Sequence, residues 1–128
     1  MRCLLDANVL IFTDLDPGKL TAAAEREILN PANELHLSIA SLWEMQLKIA
    51  RGKLSLSRPL PDVVAEQCRV NGIRLLAVEP AHIYRLAGLP FHHSDPFDRI
   101  LIAQALHEGM AIITSDGEFA PYGVPVIW

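Results

Sequence analysis

A chain of 128 residues, 51% hydrophobic and 20% charged, is about one domain in size and can build a core without disulfide or metal staples. That composition excludes a disordered or fibrous protein. The formal net charge of −4, with a pI near 5.7, argues against a broad basic surface that binds nucleic acid by neutralising phosphates. It leaves room for a local site, because four clustered carboxylates alone supply that much charge and bound divalent cations would cancel it where phosphates sit.

One domain over residues 1–128 is expected, with no repeat or low-complexity linker. Cys3 and Cys68 lie in apolar surroundings without CxxC or His-rich spacing, so buried free thiols are expected rather than a disulfide or zinc site. The N-terminus reaches Asp6 before any signal-peptide core forms, and no apolar stretch has the length of a membrane span. A cytoplasmic protein with no membrane association is the expectation.

Apolar segments alternate between short strand-like and longer helix-like patterns. Arg2 to Leu5 predicts a first strand, followed by a helix from about Asn8 and a second over Leu20 to Leu29, before Asn30-Pro31. Leu35 to Ser38 is a short strand. From Ser41 to Arg51, Leu42, Met45 and Ile49 share one helical face and Glu44, Lys48 and Arg51 another, with Gly52 as the stop. Residues 54–61 form a loop, Asp62 to Val70 a helix ended by Asn71-Gly72, and Ile73 to Val78 a strand. A helix over Ala81 to Ala87 precedes a loop from Gly88 to Ser94. Ile100 to Leu106 is apolar nearly all round, as for a helix buried against a sheet, and Ala111 to Thr114 and Val124 to Ile127 are the last strands. Strands separated by helices predict an α/β fold: a mostly parallel central sheet covered on both faces, whose ligands collect at the carboxyl ends of its strands.

Four acids, Asp6, Glu44, Asp98 and Asp116, stand where strand-like runs end or helices begin. Each also has a local explanation. Asp95-Pro96-Phe97-Asp98 is a strong helix start, with Asp95 as N-cap, Pro96 at the first position and Asp98 complementing the dipole. Ser41 to Glu44 fits a capping box, Glu44 and Lys48 an i,i+4 ion pair, Asp116-Gly117 a turn, and Asp6 a cap. Local roles leave unexplained why strand ends on three separate segments are all acidic, since converging like charges repel unless a cation lies between them. Mg²⁺ or Mn²⁺ would resolve this, because hard cations take carboxylate oxygens and can activate water and polarise a phosphoryl group.

The stretches Leu4-Leu5-Asp6-Ala7-Asn8, Ser38-Ile39-Ala40-Ser41-Leu42-Trp43-Glu44, Asp95-Pro96-Phe97-Asp98-Arg99 with Ala103-Gln104-Ala105, and Ile113-Thr114-Ser115-Asp116 with Phe119 resemble PIN-domain proteins of the VapC toxin type, in the same order and spacing to Trp128. The resemblance implies a three-layer α/β/α sandwich and a divalent-metal-dependent endoribonuclease. It also implies the toxin of a type II toxin-antitoxin pair, a homodimer neutralised by a small antitoxin. It places the metal site on Asp6, Glu44, Asp98 and Asp116. Asp6 and Asp98 would ligate directly, Glu44 partly through water, and Asp116 would complete the second side or orient the nucleophile. Metal-activated water would then attack an RNA phosphodiester in line, leaving a 5′ phosphate and a 3′ hydroxyl.

Around these acids, Asn8 and Thr114 are candidates to fix carboxylate rotamers, while Lys48, Arg51 and Arg99 are candidates for phosphate contacts. His92 and His93, on the loop before the Asp95 helix start, could touch substrate but are more often merely exposed, and they are not expected to be metal ligands. Trp43, Phe91 and Phe97, with helices near Ala22 to Leu29 and Val63 to Cys68, are candidates for a partner surface. A haloacid-dehalogenase phosphatase would need a second Asp where Asn8 stands. The alternatives that remain are a housekeeping or structure-specific nuclease of the same fold and a PIN-like interaction module without catalysis.

Overall fold

In the computed structural model, which describes residues 1–128, five strands form one sheet: β1 (Arg2–Leu5), β2 (Glu34–Ser38), β3 (Arg74–Leu76), β4 (Ala111–Ile113) and β5 (Val126–Ile127). Their order is β3-β2-β1-β4-β5, and every pairing is parallel. The helices are α1 (Ala7–Leu15), α2 (Ala22–Leu29), α3 (Ile39–Ala50), α4 (Leu60–Asn71), α5 (Pro80–Arg85) and α6 (Pro96–Glu108). From β1 the chain works outward through β2 and β3, then returns to lay β4 on the other flank of β1. The strand order therefore reverses between β1 and β4. Diverging loops open a crevice at the carboxyl ends of such a strand pair.

Alternation along β1 sends its side chains to opposite faces. Cys3 and Leu5 pack with Leu35, Leu37 and Ile113 beneath Val9, Leu10, Ala24, Ile28, Met45, Leu60 and Val64 of α1 to α4. On the other face, Leu4 and Ile112 pack beneath Leu101, Ile102 and Ala105 of α6, with Phe119 and Tyr122 completing the layer. These two layers around one sheet are the expected α/β/α sandwich, and each fully buried Leu or Ile contributes about 1.5–3 kcal/mol. Helix α6 is buried from Asp98 through Ala105, which matches its nearly uniform apolarity. No helix is long and apolar enough to cross a membrane, and Cys3 and Cys68 are both free thiols.

Several boundaries differ from the pattern in the sequence, each for a local reason. Strand β2 runs into α3 without a loop, so Ser38 is the cap, its Oγ accepting from the Ala40 N–H at 3.1 Å. Ser41 therefore lies inside the helix, buried and with its Oγ unpartnered, and the expected capping box with Glu44 does not form. Thr21 caps α2 by accepting from the Ala24 N–H, which starts that helix two residues later than its periodicity does. Helix α4 ends at Gly72, whose φ of +65° is a left-handed conformation that disfavours other residues.

Candidate active site at the carboxyl edge of the sheet

Asp6 follows the last residue of β1, and its backbone N–H donates to the Ile113 carbonyl of β4 at 3.0 Å. Although Asp6 stands at the N-cap position of α1, its carboxylate caps nothing. Thr114 Oγ1 instead donates to Asp6 Oδ2 at 2.8 Å and accepts from the Asp116 N–H at 3.0 Å. One hydroxyl thus ties the ends of β1 and β4 across the crevice. Asp116 Oδ1 accepts from the Glu118 N–H, the turn contact its Asp-Gly sequence predicts. Asn8 is half-buried in the first turn of α1, and its side chain makes no hydrogen bond to the acids.

Asp98 reaches the same edge from the first turn of α6, which packs on β1, β4 and α3. Asp95 is its N-cap, with Oδ1 accepting from the N–H groups of Phe97 and Asp98 at 2.9 and 3.1 Å. Glu44 comes from α3, its Oε2 3.5 Å from Lys48 Nζ. This ion pair is the local role expected for both residues.

Asp6 and Asp98 keep only 3% and 8% of their surface exposed. Burial raises the Asp6 carboxyl to about 6 against the Thr114 hydrogen bond, with the charges of Glu44 and Asp116 adding to the rise. Burial also raises Asp98 to about 7 against its bond from His93, and Asp95, Asp6 and Asp116 add repulsion. The Glu44 carboxyl is likewise raised by burial, with Lys48 opposing and Asp95 adding. Asp6 thus feels the charges of Glu44 and Asp116, and Asp98 those of Asp6 and Asp116.

No group of three or more His, Cys, Asp or Glu side chains stands in ready-made metal-holding geometry. The donor set nevertheless suits a hard divalent cation. It is all carboxylate, two of its members are buried, and its one cationic neighbour from a Lys or Arg is Lys48 at the rim. Side-chain rotation within the crevice would have to complete the coordination.

The structure corrects two expectations. Arg99 is buried rather than free for phosphate: Nη1 donates to the Pro90 carbonyl at 2.8 Å and to the Tyr122 hydroxyl at 3.2 Å, and Nη2 donates to the Leu89 carbonyl at 3.2 Å. Its guanidinium also covers the Phe91 ring at 3.9 Å. Two carbonyls and an aromatic face use up the fork that a phosphate would need. Second, His93 is no exposed loop residue, for its Nε2 lies 3.1 Å from Asp98 Oδ2 and its Nδ1 2.7 Å from the Tyr122 hydroxyl. Sequence reasoning missed His93 and Tyr122 because 29 residues separate them; the only signal was the position of His93 five residues before Asp98.

Arg51 is exposed just beyond α3, free for a partner. Of the candidate interface groups, Trp43 and Phe91 are 61% and 82% exposed. Phe97 packs edge-on against Trp43 at 5.1 Å between ring centroids. Val63 and Val64 instead belong to the core.

Comparison with known proteins places this arrangement. Ribonuclease VapC22 of Mycobacterium tuberculosis (strain ATCC 25618 / H37Rv) is 26% identical over 114 residues, covering 88% of this chain and 85% of that protein. The fold is shared with VapBC2 from Rickettsia felis bound to a promoter DNA fragment, at a TM-score of 0.71 and 12% identity over 98% of this chain and 97% of that one. It is also shared with DNA-bound VapBC from Salmonella typhimurium, at 0.70 and 19% over 98% and 96%. Residues 3–124 match the PIN domain family model, and with nearly the whole chain so matched, the protein belongs to the PIN domain family.

Proposed function

We propose that this chain is a divalent-metal-dependent endoribonuclease of the VapC type, the toxin of a toxin-antitoxin pair. The observation that carries the reading is the placement of Asp6 and Asp98, two carboxylates raised first by burial and then by neighbouring acids at the switch point of the sheet, with no cationic Lys or Arg partner. Membership of the PIN family and similarity to a ribonuclease supply the reaction class.

Asp6, Glu44, Asp98 and Asp116 would hold the metal, with Mg²⁺ the first choice on availability and Mn²⁺ an alternative. When bound, it supplies charge compensation for the phosphodiester and a more acidic water as nucleophile. The chain's own residues do the rest. Thr114 fixes the Asp6 carboxylate and the Asp116 backbone in one register, so two acids from adjacent strands move as a unit. The ring of carboxylates accepts the proton that leaves the attacking water, a task suited to groups with raised proton affinity. Lys48 in the last turn of α3 and Arg51 just beyond it offer positive charge to flanking phosphates. Attack by water would leave a 5′ phosphate and a 3′ hydroxyl.

The VapBC assemblies that share this fold motivate a small antitoxin as partner, and the resemblance adds a homodimer. Exposed apolar side chains on α3 and α5, Trp43 and Ile83 among them, supply surface that such assembly would bury.

The test is cleavage of total cellular RNA by purified protein in Mg²⁺, in Mn²⁺ and in EDTA, with Asp98→Asn alongside. Discrete fragments that need metal, carry 5′ phosphates and vanish in the variant are expected. A cyclic-phosphate product would refute water attack. Absence of cleavage with any metal, from protein shown to be free of antitoxin, would refute the nuclease.

A further inference from the structure

Tyr122 closes the short helical turn Ala120–Tyr122, far from Asp98 in sequence, yet its hydroxyl is a hub beside that acid. It receives the backbone N–H of His93 at 3.1 Å and Arg99 Nη1 at 3.2 Å. A phenolic oxygen has two lone pairs to accept with and one hydrogen to give. Both lone pairs are therefore occupied by N–H groups that have no choice but to donate. The remaining hydrogen has two acceptors within reach, His93 Nδ1 at 2.7 Å and the His93 carbonyl at 3.3 Å, and the shorter contact is to the ring nitrogen.

If Nδ1 carried a hydrogen, Tyr122 would face a third donor with no lone pair left for it. Nδ1 is thus an acceptor, and the ring hydrogen resides on Nε2, which points at Asp98 Oδ2 from 3.1 Å. The imidazole is also held from the side, as its ring meets Tyr122 at a steep 65°, and only 13% of the side chain is exposed. Arg99 in turn is locked to the carbonyls of Leu89 and Pro90, so the hub rests on a buried guanidinium rather than on a mobile surface group.

We propose that His93 is a positioning residue for the nuclease site: its Nε2–H holds one oxygen of Asp98, and Tyr122, braced by Arg99, fixes the ring that does so. The consequence is directional. With Oδ2 engaged by His93, the Asp98 carboxylate presents its other oxygen to the crevice where Asp6 and Asp116 converge, and it need not lose rotamer freedom when a cation arrives. Partners that orient a carboxylate in this way are worth about 10- to 100-fold in metal affinity. The inference rests on the reading of Asp98 as a metal-holding group.

Two measurements test it. Against burial, the bonds with Tyr122 and Asp98 raise the proton affinity of the His93 ring. Histidine ¹⁵N NMR of the folded wild-type protein, followed upward in pH until that ring is neutral, reports which ring nitrogen of His93 is protonated. Hydrogen on Nε2 with a bare Nδ1 is expected; a protonated Nδ1 overturns the proposal. Titration with Mn²⁺ alone, followed by the electron paramagnetic resonance signal of the free ion, then compares wild type, His93→Ala, His93→Gln, Tyr122→Phe and Asp98→Asn. His93→Ala should weaken Mn²⁺ binding about 10- to 100-fold. His93→Gln, which keeps an N–H donor, should recover part of the loss, and Tyr122→Phe should weaken binding less than His93→Ala does. If Asp98→Asn loses Mn²⁺ while folded His93→Ala binds it as tightly as wild type, this proposal fails and the metal site stands. If wild type takes up no Mn²⁺, the functional reading fails and the positioning role with it.

Discussion

Replacing Asp98 by Asn should stabilise the protein in the absence of metal, and only above a defined pH. The carboxyl titrates near 3.8 when unperturbed and is raised to about 7 in the fold, by burial first and then by the charges of Asp95, Asp6 and Asp116. Between those values the folded chain binds more protons at this position than the unfolded chain. Stability therefore falls as pH rises through the window and is flat on either side. An elevation of that size corresponds to about 4 kcal/mol. Because Asp6, raised to about 6, titrates in the same window and shares the repulsion, the part removed by one substitution is smaller, about 2–3 kcal/mol. Asn keeps the shape, and its carbonyl still accepts from His93.

In EDTA the variant should match wild type near pH 4 and exceed it near pH 8 by roughly 6–12 °C in Tm. The difference between variant and wild type is the quantity to follow, since it removes the pH response of every other group. Mg²⁺ should then stabilise wild type by mass action and leave the variant unmoved. Cleavage should rise with pH across the same window, because cation and proton compete for Asp6 and Asp98. A variant no more stable than wild type at the alkaline end would show that these carboxylates are not crowded, and the electrostatic case for a cation would collapse.

Thr114→Val keeps the shape but removes the donor to Asp6 and the acceptor for Asp116; it should weaken Mn²⁺ binding about tenfold and lower stability at neutral pH by about 1–2 kcal/mol, read by titration and denaturant melts. Arg99→Lys should cost about 2–3 kcal/mol through the lost carbonyl contacts and leave the salt dependence of RNA binding unchanged. Arg51→Ala should do the reverse, with stability within about 0.5 kcal/mol of wild type and a salt slope reduced by about one; equal behaviour of the two variants would refute the separation drawn between them. Asp95→Asn should keep the cap and the metal affinity, whereas Asp95→Ala should lose about 1 kcal/mol by thermal melt. A collapse of Mn²⁺ binding in Asp95→Asn would make that residue a ligand instead.

The sheet and most helices were legible because their signals are local: a short apolar run from Arg2 to Leu5, an apolar helix after Asp95-Pro96, and a glycine at the end of α4. The acids were legible by position, as strand ends and a helix start. What escaped has a common cause. The seamless β2–α3 junction hid the true cap at Ser38, since a Ser-x-x-Glu run reads the same whether it opens a helix or lies inside one. Arg99 read as a phosphate ligand because charge suggests exposure, and only the fold shows the carbonyls of Leu89 and Pro90 turned toward it. His93 and Tyr122 meet through tertiary packing that carries no periodic trace.

Asp95, Asp98 and Arg99 show how one turn of helix can carry three roles without conflict. Asp95 stays outside the helix and takes its first N–H groups, which fixes where the backbone enters. Asp98, at the third helical position, then faces the sheet edge, where burial disfavours its charge and the helix dipole favours it. Arg99 lies about 100° further round the helix and turns away from the acids into the loop before the helix. Its fork holds Leu89, Pro90 and Tyr122; Tyr122 holds His93; and His93 returns to Asp98. The loop that precedes the helix is thereby bound to the helix's own first turn, and the acid that such crowding most disfavours is the one the loop of contacts closes upon. A carboxylate without such a partner would be free to rotate; this one has an oxygen held by His93.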